Sequence, residues 1–327
     1  MGKYLKISIL LLLSIAIHLN AVAKNAIEPD FAFPQKVSQR AEENLKQALK
    51  ENDGNAVVRS LIDYSIAQSL INTDSIQSII NKIEQVAVKE KNPCTKALLN
   101  TLLCQIYSSL YSSDALTIER RANINAGTPL DIAEWSKKDF ENKVFELCDA
   151  ALTDADALKK AKLSDYRDII KQNSLTPIYY PTLYDFVASS LIEYIHELSL
   201  IGIKNNILPL NEFLTTPISN TDQYTQRIYS IYKDVESFHK NDIAPLIYWD
   251  LMRINNSYNS NAILRNNYSH FEQRDKAIQY LYDTYSHSEY ASLVLIYQWE
   301  ESYRNANAPT KLKFYNLLKK RLSQFPA

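Results

Sequence analysis

From Asp74 onward the apolar positions are Ile76, Ile79, Ile80, Ile83, Val86 and Ala87. Spacings of i, i+3, i+4 and i+7 place these side chains on one face of a helix. Asp74 with Gln77 resembles a capping box and predicts where that helix starts. The stripe stops before Asn92-Pro93. Pro93 suits the first turn of the next helix, because its missing N–H would be unpaired there in any case. That helix carries Leu99, Leu102, Leu103, Ile106 and Leu110. Ser136 with Asp139 opens another, with Phe140, Val144, Leu147, Cys148 and Ala151 inward. After Pro181 the stripe is Tyr184, Val187, Leu191, Ile195 and Leu198. From Asp222 it is Tyr224, Ile228, Ile231, Tyr232, Val235 and Phe238. The same periodicity predicts helices over about 38–51, 55–71, 243–257, 271–285, 288–304 and 310–323.

Three stretches interrupt the periodicity and read as loops: Ser113 to Glu134, with Gly127 and Pro129; Asn173 to Tyr180; and Gly202 to Asn220, with Pro209 and Pro217. The last is the candidate domain boundary. The predicted organisation is a signal peptide over 1–23, a helical region over 24–201, a loop over 202–220 and a second helical region over 221–327. Helices of this length with short connections predict an all-α fold of antiparallel pairs. It is either a TPR-like α-solenoid or an irregular stack of helix pairs. The final pair, Ser288 to Arg304 and Thr310 to Ser323, ends in Gln324-Phe325-Pro326, where tetratricopeptide repeats also place a proline. No clean 34-residue repeat of small and aromatic positions accompanies it.

Composition supports the helical reading. The 327 residues include only four glycines. Sheet-rich folds and phosphate-cradling loops both rely on Gly for left-handed turns, so both are disfavoured. A formal net charge of −1 argues against a nucleic-acid partner, which needs a concentrated basic surface.

The first residues predict export. Lys3 and Lys6 precede the apolar run Ile7 to Ile17, which is too short to span a bilayer, a task for about twenty residues. Ala21-Val22-Ala23 is a small-x-small cleavage pattern, so the mature chain is expected to begin at Lys24. No Cys lies near that site to be acylated. No later stretch is long and apolar enough to insert in a membrane, so the mature chain is expected in the periplasm or at the cell surface. Three cysteines remain: Cys94, Cys104 and Cys148. Cys94 and Cys104 share one predicted helix, about 15 Å apart. A disulfide requires Cα atoms within about 7 Å, so at most one bridge can form, from Cys148 to one of the others. The plainer reading is three small buried hydrophobes. No CxxC or zinc spacing is present.

The candidate chemistry is thin. Glu193 with His196 and Glu236 with His239 form two Glu-x-x-His motifs, the pattern that facing helices use to hold two metal ions. That bundle needs a Glu-bearing helix between the motifs. Here the interval is mostly the Pro-containing loop, whose one Glu is Glu212, so solvated helix faces are the better reading. His270 and His287 have no partner pattern. No zincin, nucleophile-elbow, Walker or dinucleotide motif occurs. Tyr224, Tyr229 and Tyr232 lie on one helix and Tyr280, Tyr282 and Tyr285 on another. They could line an aromatic groove for a glycan or peptide. Several sit in the apolar stripes themselves, which favours buried helix–helix seams. Trp135, Trp249 and Trp299 would report on ligand by fluorescence. Glu42 and Glu43 with Lys46 and Lys50 read as i, i+4 pairs on a solvated face. No catalytic, cofactor or metal residue is assigned.

Four segments together resemble the N-terminal helical region of Bacteroides-type bacterial α-2-macroglobulin family proteins. They are FAFPQKVSQRAEENLKQALKENDG (31–54), KEKNPCTKALLNTLLCQIY (89–107), ELCDAALTDADALKKAKLSDYRDII (146–170) and YYPTLYDFVA (179–188). The resemblance covers the first half of the chain; beyond about residue 200 only general helical character is shared. It implies a periplasmic or cell-surface setting beside a protease trap built of β-sandwich domains. Many members carry a Cys-x-Glu-Gln thioester. Here the cysteines stand in Cys94-Thr95-Lys96, Cys104-Gln105-Ile106 and Cys148-Asp149-Ala150, so no such capture is implied. The expectation is a non-enzymatic interaction module, truncated, split from its remainder or free-standing, with a protein partner. The alternative is a Tyr-rich solenoid that binds glycan or peptide.

Overall fold

The computed structural model describes residues 30–72, 74–121, 131–199, 208–218, 221–256, 268–305 and 308–324. The expected signal peptide (1–23), the Lys24 terminus and the Phe325-Pro326 end lie outside the described residues. The chain is all-α. Among the described residues there is no strand, only an isolated antiparallel bridge between Lys162 and Thr182. It divides into two compact units, Met1–Leu198 and Ser199–Ala327.

Unit 1 contains α1 (Pro34–Glu51), α2 (Gly54–Ile71), α3 (Ile76–Lys89), α4 (Pro93–Ser113), α5 (Ala115–Ile118), α6 (Lys137–Leu152), α7 (Ala155–Lys160), α8 (Thr176–Tyr179) and α9 (Leu183–Leu198). Helices α1 and α2 form an antiparallel hairpin. Asn52 ends α1 in the left-handed region (φ 57°), a conformation Asn tolerates better than most residues. Asp53 then caps α2 by accepting from the Ala56 N–H. Helix α4 is buried nearly all round, from Thr95 to Tyr111. It is the central helix of the unit, packed by α2, α3, α6 and α9. The stripe read from its sequence understates this, because Thr101 and Ser108 also face inward and return their hydroxyls to backbone carbonyls of their own helix. On one side, Lys82 of α3 pairs with Glu42 of α1, and Lys143 of α6 pairs with Glu84 of α3 at 2.9 Å.

The local signals were correct at most helix starts. Asn92 caps α4 with Pro93 in its first turn. Ser136 and Asp139 form both halves of the expected capping box at α6. Asp222 caps its helix through the Tyr224 and Thr225 N–H groups. Asp74 is a correction. The helix starts one residue later than that box implies, with Ser75 at its N-cap and no side-chain cap bond, and Gln77 turns to Asn81 instead. Each loop expectation is also revised. The 113–134 stretch holds α5 and a 3-10 turn at Ile132–Glu134, and the 173–180 stretch holds α8. The 202–220 stretch holds α10 (Leu210–Thr215). These are one- to two-turn helices, too short to show an apolar stripe.

Gly54 opens α2 against the first turn of α4. A Cβ there would lie 1.9 Å from Thr95 Oγ1 and 3.1 Å from its Cβ. Thr95 is buried and stiff at χ1, and its Cβ at 3.1 Å stays close whichever way the hydroxyl turns. Gly54→Ala is expected to cost about 1–3 kcal/mol. Urea unfolding checks it, and Thr95→Ala in the same chain should restore most of the loss.

Unit 2 contains α10, α11 (Gln223–Phe238), α12 (Ile243–Asn256), α13 (Tyr268–Thr284), α14 (Ser292–Asn305) and α15 (Ala308–Gln324). Ile247, Leu251 and Ile254 of α12 pack with Ile278, Leu281 and Val294 in its core. Arg321 of α15 is buried, and its guanidinium donates to the Ser286 and Ser288 carbonyls and to Ser292 Oγ. It thereby ties the last helix to the turn between α13 and α14.

Candidate functional site

Among the described residues of unit 2, a cluster of buried charged side chains is built by α11 and α12. Glu236 lies on the inward face of α11, one turn beyond Tyr232. On α12, Leu246, Trp249, Asp250 and Arg253 follow i, i+3, i+4, i+7 spacing, so two charged residues sit inside a buried stripe. The Arg253 side chain is fully buried. Its Nε donates to Glu236 Oε1 at 2.9 Å, one Nη donates to Asp250 Oδ1, and the other donates to the Leu208 carbonyl at 3.2 Å. The guanidinium carbon stands 4.1 Å from the centre of the Phe213 ring. Lys233 approaches the same ring at 5.4 Å and donates to the Thr216 carbonyl. Phe213 is the buried residue of α10 and stacks edge-on against Tyr229 at 5.5 Å. Two cations and one aromatic ring thus fasten the α10 segment to the α11–α12 pair.

Two carboxyls share one guanidinium in this centre. Burial pushes Glu236 up to about 8, although Arg253 opposes the shift, and burial also raises Asp250. Burial lowers Arg253, but the two carboxyls outweigh it and hold the cation charged. Glu236 Oε2 makes no hydrogen bond, so an ionised Glu236 would have only one of its two buried oxygens paired, the one that meets Arg253. The folded chain therefore holds a proton that the unfolded chain releases above the ordinary carboxyl value of 4.5. The stabilisation is complete below that value and is lost as pH rises towards about 8. Thermal melts are expected to fall across that window, and Glu236→Gln to flatten the slope.

The two Glu-x-x-His motifs are Glu193 with His196 and Glu236 with His239. One lies in each unit. Glu236 is occupied by Arg253, while His239 is buried with its ring 4.4 Å from Phe238. Glu193 is exposed and His196 half-buried. Burial pushes His196 down to about 4, and its Nε2 makes no hydrogen bond. Among the described residues, no three His, Cys, Asp or Glu side chains are grouped to hold a metal ion. Glu212 is exposed on α10. His270 has no described side chain, and His287 is exposed.

The six tyrosines of the two aromatic helices lie mostly in seams. Tyr229 and Tyr232 are buried, and Tyr232 meets Trp249 edge-on at 6.0 Å. Tyr282 and Tyr285 pack on the α12–α14 core, and Tyr224 is half-buried. Of the six, only Tyr280 is exposed. In unit 1, Tyr107 stacks on Trp135 at 5.3 Å, and Phe140 lies between Trp135 and Tyr111. The Tyr111 hydroxyl donates to Glu119 Oε1 at 2.7 Å, which also accepts from Lys137. These bonds hold the Glu119 carboxyl below its ordinary range.

The three thiols are free. Cys104 and Cys148 meet across α4 and α6, whereas Cys94 is half-buried with its sulfur 3.9 Å from the Ala157 carbonyl oxygen. Sequence reasoning missed Asp250, Arg253, Lys233 and Phe213. The available signal was the charged pair set inside the apolar stripe of α12. No family model, curated protein or solved structure matches this chain.

Proposed function

We propose that this chain is a non-enzymatic, exported helical interaction module whose partner is another protein, in the manner of the lead-in region of a bacterial α-2-macroglobulin. The carrying observation is an apolar end on the α1–α2 hairpin. Gln68 of α2 donates to Ser38 of α1 at 2.8 Å, which sets the last turn of α2 beside the first turn of α1. Phe33, Leu70 and Ile71 stand at that end, 56%, 41% and 40% exposed. Large apolar side chains gathered at one exposed end are the composition of a docking surface. The resembling segment 31–54 begins at the same place. By contrast, the buried charges of the α11–α12 pair face one another. Arg253 is held between Glu236 and Asp250 away from solvent, and Tyr229 and Tyr232 are buried.

The test is size-exclusion chromatography with light scattering. The mature chain is mixed with a recombinant β-sandwich region of a Bacteroides-type α-2-macroglobulin. A stable complex that Phe33→Ser with Ile71→Ser weakens at least tenfold supports the reading. No complex at tens of micromolar, or a complex indifferent to those substitutions, overturns it.

A further inference from the structure

Cys104 lies in the middle of α4 and Cys148 in the second half of α6, and their sulfurs are 3.8 Å apart. They are 0% and 2% exposed. That separation is van der Waals contact between two sulfurs. A bridge at about 2.05 Å needs the pair to close by only about 1.8 Å. The helices are antiparallel, and their register is held beyond the thiols by the Tyr111–Phe140 and Tyr107–Trp135 ring contacts. Cys104 Sγ also lies 3.7 Å from the Val144 carbonyl oxygen, one turn before Cys148. The juxtaposition is therefore set by helix packing and not by a loop.

We propose that Cys104 and Cys148 are a disulfide site that staples α4 to α6 when the chain folds in an oxidising compartment, with a small-molecule disulfide such as oxidised glutathione as electron acceptor. One protein thiolate attacks oxidised glutathione, forms a mixed disulfide and expels one glutathione thiolate. The second protein thiolate attacks the protein sulfur of that mixed disulfide and expels the other glutathione. Two protein thiols lose two protons and two electrons, and one glutathione disulfide is reduced to two thiols. Cys94 takes no part, because it faces the Ala157 carbonyl near the start of α4. Once α4 and α6 have closed, burial and the neighbouring thiol raise Cys104 and protect the pair from attack. The exchange therefore belongs to the folding stage. This inference rests on the export part of the reading above and not on docking.

The experiment refolds the full, reduced chain in a mixed oxidised and reduced glutathione buffer. The product is then alkylated under denaturing conditions without reductant, and its mass and peptides are mapped. The expected product is lighter by two hydrogens, alkylated once at Cys94, with a linked peptide joining Cys104 and Cys148. Closing a loop of 44 residues is also expected to place the oxidised form's Tm about 10 °C above that of the reduced form. Cys94→Ala should bridge as efficiently as the parent. Three alkylated thiols, a linkage that includes Cys94, or an unchanged Tm on reduction would overturn the proposal.

Discussion

Arg253→Met is expected to destabilise unit 2 by about 3–5 kcal/mol, because it strands two buried carboxyls without their shared cation. Glu236 and Asp250 lose the Nε and Nη bonds, and the Leu208 carbonyl loses its donor. Both carboxyls are already raised by burial, so protonation relieves part of the penalty. The loss should therefore be smaller in mild acid than in mild base. Urea unfolding read through Trp249, which is buried one turn from Arg253, measures it. Converting the whole centre to apolar residues, with Glu236→Leu and Asp250→Leu added, should recover most of the stability, since the ion pairs do not repay desolvation on their own. Arg253 and Phe213 also hold α10, so the single variant should open 208–218 to proteolysis before the rest of the unit. A loss below about 1 kcal/mol would show that water or another group compensates the carboxyls.

Phe140→Ala is expected to cost about 3–5 kcal/mol in unit 1. The ring is 2% exposed and lies 5.3 Å from Trp135 in an edge-on contact and 6.0 Å from Tyr111. Its removal leaves a cavity between α4 and α6 that neither rigid aromatic neighbour can fill. Phe140→Leu keeps most of the volume and should cost roughly 1–2 kcal/mol. Trp135 emission reports the change directly, because its stacking on Tyr107 depends on the same packing. An Ala variant as stable as the parent would mean that α6 slides to refill the space, and the Cys104–Cys148 contact should then lengthen with it.

Helix identity was readable from the chain because it is a local property. The Asp222 start with its stripe through Val235, the Asn92-Pro93 start and the Ser136–Asp139 box all act within one or two turns, and the structure has them, although Phe238 at the end of that stripe is exposed. The cysteine arithmetic excluded a Cys94–Cys104 bridge for the same reason, since rise per residue fixes distance along one helix. Packing between helices is not local. Nothing in the sequence near Arg253 says that Glu236, 17 positions earlier, is its partner, or that the Leu208 carbonyl will meet its Nη. Glu236 and His239 read as residues of a solvated helix face, with a metal motif as the lesser reading, and both are buried, because i, i+3 spacing records a shared face and not what faces it. Cys148 could have met either of the other cysteines until the register of α4 against α6 chose Cys104. Asp74 shows the same limit in miniature: a capping pattern is a preference worth about 1 kcal/mol, small enough for the packing of the adjoining turn to override it. The sequence determined which segments coil and which faces are apolar, because those terms are settled within a few residues. Only the tertiary structure decided which buried charges and thiols meet, because desolvation and close packing act on residues that the chain brings together from a distance.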